Sequence, residues 1–283
     1  MTVFFFAVSD ILTKQLTTRY PVSLVVAVRY LSSLLLLLLF VWPRMKRRLW
    51  QTTRTRLVLL RGLVLALCSL TLGLGLRLMP VGETIAIVYL FPILVMITAV
   101  PLLGERVSPL GWLFALLGFS GVLFIIRPGS GLDLMGVIYT LLNALLATVY
   151  HLITRVLTKT ETHISLLFHV TLIGAVFFCV SAIPSLEEPL PKLTDLGLMS
   201  LLGGISTAGH FLFTVAYRYA PASLIAPANY MHLVWASLLG WVFFSHFPDQ
   251  WTLLGMLMII TAGAGIAIKS HLEKVRSRSA VIT

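Results

Sequence analysis

The chain has 283 residues, of which 58% are hydrophobic and only 11% charged, with a formal net charge of +11. A water-soluble domain carries about 25% charged residues, and one buried core cannot absorb apolar runs that continue from end to end. A soluble fold is therefore excluded, the mean hydropathy of +0.98 agrees, and lipid is expected as the solvent for most side chains.

A spanning helix needs roughly 20 mainly apolar residues. Such runs fall at roughly 3–18, 22–42, 57–77, 82–103, 110–127, 133–156, 164–184, 195–217, 222–244 and 251–269, which makes ten. The first holds Asp10 and Lys14, which argue against a cleaved signal peptide, whose core is uncharged. Arg29 lies about two turns inside the second, and Glu83 opens the fourth. The sixth carries Asn143, Tyr150 and His151, the seventh His169, and the eighth His210 within GGISTAGHFLF. The ninth reads SLIAPANYMHLVW from Ser223 to Trp235, an apolar stretch crowded with hydrogen-bonding groups. Connections such as WPRMKRR and RPGSGLD leave no room for a soluble domain. A β-barrel is excluded because the runs are about twice strand length and do not alternate.

The positive charge points to membrane topology rather than to nucleic acid. With the N-terminus inside, the inner loops hold Arg44, Lys46, Arg47, Arg48, Arg54, Arg56, Arg106, Arg155, Lys159 and Arg218, and the tail adds Lys269, Lys274, Arg276 and Arg278. The outer loops hold only Arg19, Arg77, Arg127 and Lys192. Such an excess is the positive-inside pattern, so both termini are expected in the cytoplasm. Cys68 and Cys179 match no metal or redox spacing and read as packing residues.

Sliding the chain on itself by 141 residues brings sparse matches in three regions. DILTKQL (10–16) falls on HLITRVL (151–157), Gly62 on Gly203, and Arg77, Pro80 and Tyr89 on Arg218, Pro221 and Tyr230. Each half then holds five spans, and an odd number forces the second half to enter the membrane from the opposite side. Inverted repeats of this kind occur in many secondary transporters, with the substrate site near the midplane between the halves.

MPVGETIAIVYLFPILVMITAVPLLGERVSPLGWLFALLGFSGVLFIIRPG (79–129) resembles the EamA repeat of the drug/metabolite transporter superfamily, through Gly104-Glu105-Arg106, the Gly118/Gly121 helix and Arg127-Pro128-Gly129. AYRYAPASLIAPANYMHLVWASLLGWVFFSHFPDQWTLLG (216–255) resembles the second EamA repeat. The resemblance implies an all-α, ten-helix carrier of small organic solutes, with repeats at 1–129 and 130–270 and a short basic cytoplasmic tail at 271–283. The second half departs from the pattern at Ser245-His246-Phe247-Pro248, which lacks the loop glutamate of the first.

Polar groups deep in a membrane usually face a bundle interior or a wet cavity. Pro227 removes a backbone hydrogen bond, so a kink is expected there. Asn229, Tyr230, His232 and Trp235 follow it, and Tyr230 has a repeat partner in Tyr89. Arg29 is permanently charged and needs a carboxylate, carbonyls or water; a substrate anion and an ion pair with Asp10 are both open. Lys14 and Arg155 read as snorkelling cations at span ends, and Glu83 as a carboxylate on a helix N-terminus. The expected substrate-binding set is Tyr230, Asn229, Tyr89, Arg29, His210 and Trp235, with Asp10, His210 and Glu83 as proton-coupling candidates.

No GxxxxGK[ST], HExxH or CxxC motif is present and no nucleophile–base pair is visible. The expectation is therefore a plasma-membrane carrier for a small polar metabolite, with lipid and a small molecule as partners and without catalysis, cofactor, metal or nucleic acid. The alternatives are an organic-cation exporter, which calls for acidic cavity residues, and a membrane enzyme, which calls for clustered His and carboxylate groups.

Overall fold

The computed structural model describes residues 2–103, 109–127, 129–158, 160–187, 191–219 and 222–282, with the backbone alone described over 213–219, 222–230 and 270–282 and at a few other positions. Among the described residues the chain is helical, without strands. The helices are α1 (Thr2–Thr17), α2 (Val22–Phe40), α3 (Trp42–Met45), α4 (Thr55–Leu78), α5 (Val81–Val88) and α6 (Phe91–Leu103). They continue with α7 (Pro109–Ile125), α8 (Leu134–Leu157), α9 (His163–Ser181), α10 (Leu193–Tyr219), α11 (Ala222–Phe244) and α12 (Gln250–Ile282).

Local chemistry sets several starts. Asp133 caps α8 by accepting the Gly136 amide at 2.7 Å, and Thr162 caps α9 through Ser165 N, each filling one of the donors left open in a first turn. Four helices, α2, α4, α8 and α9, are long and apolar enough to cross a membrane by themselves. Shorter apolar helical stretches run over Val81–Val95, Pro109–Ile125, Met231–Phe244 and Gln250–Gly265.

One feature differs from the sequence expectation. The fourth run is not one helix: the ladder breaks at Tyr89–Leu90, between α5 and α6. Pro92 explains the break, since it has no N–H to give to the carbonyl four residues back and is well suited to a first helical turn. Pro227 lies inside α11, which is helical from Ala222 to Phe244. The expected tail from 271 is helical as well, continuing α12 to Ile282; KSHLEKVR is rich in helix formers and contains neither Gly nor Pro.

Packing follows a paired pattern. α4 lies on α8 and α9, while α10 lies on α1 and α2; α2 meets α9, α7 meets α12, and α11 meets α5. α11 lies on α1, and α5 and α6 lie on α8. In lipid, apolar surface gives little drive between helices, so close approach at small residues matters. A Cβ on Gly121 would meet the Gly255 carbonyl oxygen at 2.6 Å, so α7 and α12 touch backbone to backbone there. A Cβ on Gly203 would lie 2.6 Å from the Arg29 carbonyl oxygen, which brings α10 flush against α2 beside that arginine. The outward surface is apolar: Leu35, Leu39, Leu113, Leu116, Val176, Val180 and Val242 are all exposed.

Candidate functional site

The break between α5 and α6 puts Tyr89 at a turn instead of within a ladder. Its buried ring stands 6.1 Å from the rings of Phe91 and His232. His232, on α11, reaches across to α1, where its Nε2 lies 2.9 Å from Asp10 Oδ2. Asp10 is 8% exposed, and the neighbouring Ser9 hydroxyl meets Ser206 on α10 at 3.2 Å. Phe6, one turn earlier on α1, has its ring 6.2 Å from His232 and 5.1 Å from His210. Phe4 stands edge-on to Trp235 at 5.2 Å. Asp10 is thus a carboxylate among aromatic rings, an arrangement suited to an organic cation.

Arg29 approaches the same region from α2. Its guanidinium lies over the Tyr30 ring at 4.7 Å and donates from NH2 to Ser69 Oγ at 2.9 Å, and Ser69 also meets the Tyr30 hydroxyl. The ion pair with Asp10 does not form. α1 turns the Asp10 face to α10 and α11, whereas the Arg29 side of α2 faces α4. His210 stands beside Phe6 and within electrostatic reach of Arg29 and Arg61. Phe6 thereby connects His210 on α10 to His232 and Asp10, with Arg29 on the adjoining helix α2.

Arg61, a functional candidate that the sequence reading did not single out, is 7% exposed and heavily partnered. It donates from Nε to Thr154, from NH1 to the Leu166 carbonyl and from NH2 to the Tyr150 hydroxyl. Its position six residues into an apolar helix, RLVLLRGL from Arg56, was the available signal. His151 stacks on Phe91 at 4.6 Å. Asn143 is a helix tie, giving its amide to the Cys68 carbonyl at 2.6 Å, and His169 bonds the Ser165 carbonyl. The side chains of Asn229 and Tyr230 lie outside the described residues.

A second polar group lies toward the end of the bundle that holds residues 18–21 and 245–249. Lys14 does not snorkel to water; its Nζ donates to the Leu76 and Met79 carbonyls at 2.8 and 2.6 Å, satisfying the open C-terminus of α4. Glu83, in the first turn of α5, bonds His246 Nε2 at 2.8 Å. The histidine in the loop that lacks a glutamate therefore reaches back to a glutamate of the first half. Nearby, Arg127 pairs with Asp249, Tyr20 donates to Asp195 at 2.6 Å, and Arg19 lies 3.8 Å from Asp195. The bond to Asp195 is the main cause that raises the Tyr20 pKa, while the Thr252 amide first, and Arg127 with it, holds Asp249 below its usual range.

At the other end, Glu161 accepts from the Thr53 hydroxyl and from the amides of Thr53 and Arg54, tying the loop after α8 to the start of α4.

Known proteins resemble this chain along most of its length. It is 29% identical over 256 residues to an S-adenosylmethionine uptake transporter of Rickettsia bellii, covering 90% of this chain and 86% of the relative. It is 30% identical over 192 residues to a riboflavin transporter of Rhizobium johnstonii, covering 66% and 62%, and 24% identical to the pseudopaline exporter CntI of Pseudomonas aeruginosa, covering 92% and 90%. A solved crystal structure superposes with a TM-score of 0.67 at 19% identity, over 95% of this chain and 97% of that one, which supports the fold. The EamA-like transporter family profile matches residues 1–127 and 134–268. On that match the chain belongs to the EamA-like transporter family, as a multi-pass membrane transporter and not an enzyme.

Proposed function

We propose that the chain is a secondary carrier for a small organic metabolite that bears both a carboxylate and a cationic centre. It crosses the membrane ten times as two inverted five-helix repeats, 1–129 and 130–270, with both termini cytoplasmic. It works by alternating access around a midplane site. The observation that carries this reading is the line from the Arg29 guanidinium, through His210, Phe6 and His232, to the Asp10 carboxylate. Two opposite charges separated by aromatic rings match a solute with two charged ends. S-adenosylmethionine, named for several relatives, has a carboxylate, an ammonium and a sulfonium, and riboflavin has neither charge.

The repeat reading is supported by packing. Adding 141 to α4 on α8 turns it into α10 on α1, and adding it to α4 on α9 turns it into α10 on α2. Gly62 packs on Ile173 and Gly203 on Ser32, contacts that exchange under the same shift. Asp10 facing His232 corresponds to His151 facing Phe91, since 10 + 141 = 151 and 91 + 141 = 232. The carboxylate–histidine pair therefore occupies one of two related positions, and an aromatic stack fills the other.

Tyr89, Tyr230, Asn229, Arg29, His210 and Trp235 contact the solute in this proposal, and Asp10, His210 and Glu83 are the candidates for coupling its transport to protons. The organic-cation reading gains from one observation, the buried Asp10 among rings. Uptake of labelled S-adenosylmethionine into proteoliposomes separates the two. Loss of uptake in both Arg29→Ala and Asp10→Asn supports the two-ended solute. Uptake of a simple organic cation that needs Asp10 and ignores Arg29 supports the second reading. Activity that survives both substitutions overturns both.

A further inference from the structure

A cavity of about 280 Å³ opens between the end of α1, the α4–α5 connection and the C-terminal half of α11. It holds the space of roughly nine waters at ~30 Å³ each. Its lining includes Lys14, Glu83, Ser237, Gly240 and His246. None of these belongs to the line of groups around Arg29 and Asp10.

The chemistry of this wall is uneven. Glu83 is 3% exposed, and its Oε1 is taken by His246. Its Oε2 is buried without a hydrogen-bond partner, the one such side-chain atom among the described residues. A buried acceptor left open costs about 1–3 kcal/mol, more when charged; Glu83 lines the cavity with Oε2 turned inward, so a small rotation of the carboxylate brings this open oxygen to a donor there. Lys14 cannot be released to serve it without stripping Leu76 and Met79 of their donor. An ammonium has three hydrogens, however, and Lys14 uses two on those carbonyls, leaving one N–H for an anionic group.

We infer that this cavity is a second ligand site, which takes the head group of a zwitterionic amino acid. The ligand ammonium donates to Glu83 Oε2, and the ligand carboxylate accepts from Lys14 Nζ. Each bond is charge-assisted, the stronger class. Gly82 and Gly240 let α5 and α11 close one wall of the cavity: a Cβ on Gly82 would meet Ser237 Oγ at 2.8 Å, and one on Gly240 would reach Val81 Cβ at 3.7 Å. The site lies at the end of the bundle where Glu83–His246 and Arg127–Asp249 join the two halves. A solute held there waits at the mouth of the transport path. That role rests on the carrier reading above, whereas binding at the cavity does not.

The test is calorimetric titration of glycine into the full chain in detergent, with sodium acetate and ethylammonium chloride as single-charge probes. Glycine binds saturably to the wild-type chain and more tightly than either probe. Because glycine carries both charges that the central site is proposed to take, the decisive titration uses the Arg29→Ala/Asp10→Asn chain, where remaining saturable binding belongs to the cavity. Adding Glu83→Gln weakens that binding by about tenfold or more, and adding Lys14→Met, which removes the donor to the ligand carboxylate, does the same. Absence of saturable glycine binding in the double variant, or equal binding after Glu83→Gln, overturns the inference. Size-exclusion profiles of each variant separate lost binding from lost folding. Proteoliposome uptake, measured independently, reports on the carrier reading alone.

Discussion

Arg61 gives its guanidinium to three groups of the protein, Thr154, the Leu166 carbonyl and Tyr150. Arg29, equally permanent in charge and equally surrounded by apolar sequence, gives one N–H to Ser69 and lies over Tyr30. A guanidinium carries five donors in a rigid fork. Arg61 is enclosed by α4, α8 and α9 and has its fork answered from within. Arg29 has one of its donors answered, by Ser69, and lies within electrostatic reach of His210. The same residue type at a comparable depth is a structural tie in one place and a ligand-ready group in the other, and partners decide which.

The largest effect expected is at the tie. Arg61→Ala removes the donor to the Tyr150 hydroxyl and to Thr154 and one of the bonds at the Leu166 carbonyl, and breaking such a buried charged network costs about 3–5 kcal/mol. Thermal unfolding in detergent reads this directly. Arg61→Lys recovers little, because a single ammonium cannot reproduce the fork. An Arg61→Ala chain that melts with the wild type erases the distinction.

Arg29→Ala is expected to do the reverse. Losing one hydrogen bond to Ser69 costs about 1 kcal/mol of stability or less, while uptake of a carboxylate-bearing solute falls about tenfold or more through loss of a charge-assisted contact. An Arg29→Ala chain that is as unstable as Arg61→Ala makes both arginines structural.

Asp10→Asn sharpens the comparison from the opposite charge. The amide still reaches His232, so stability falls by about 1 kcal/mol. Uptake of the two-ended solute falls about tenfold or more through loss of the charge-assisted contact to its cationic end. Uptake that survives Asp10→Asn at the wild-type rate removes Asp10 from the site.

Much of this arrangement was legible in the sequence, and the remainder was hidden for identifiable reasons. Apolar runs marked the helices, because lipid forces every backbone group to bond within its own segment. Arg29, Asp10, Tyr89, His210 and Trp235 stood out because polar groups are rare in such runs, and the fold brings them toward one region. Partner choice did not show. Asp10 pairs with His232 and not with Arg29 because of how α1 rotates against α11, a tertiary fact with no local signature. Lys14 seemed near enough to a span end to reach water, but the end of α4 stops beside it and supplies two open carbonyls. The break at Tyr89–Leu90 was readable from Pro92, whose missing N–H is a local property; the apolar run concealed it.

The smallest effect concerns Glu161, the anionic analogue of Arg61, since its oxygens are answered by Thr53 and Arg54. Burial pulls its pKa upward, but the Thr53 hydroxyl and the two amides, with His169 nearby, outweigh that and hold the carboxyl below the ordinary carboxylate range. A depressed folded pKa contributes stability that is present above the unfolded value and lost as pH falls through the folded one. Glu161→Gln keeps one acceptor oxygen and the shape, so it costs only about 1 kcal/mol near neutral pH. The gap in melting temperature between wild type and variant closes as the pH drops from about 5 to about 3. A gap that persists on acidification means the Thr53 and Arg54 donors need an acceptor at this position and not its charge, and full satisfaction by partners is then the property that Glu161 shares with Arg61.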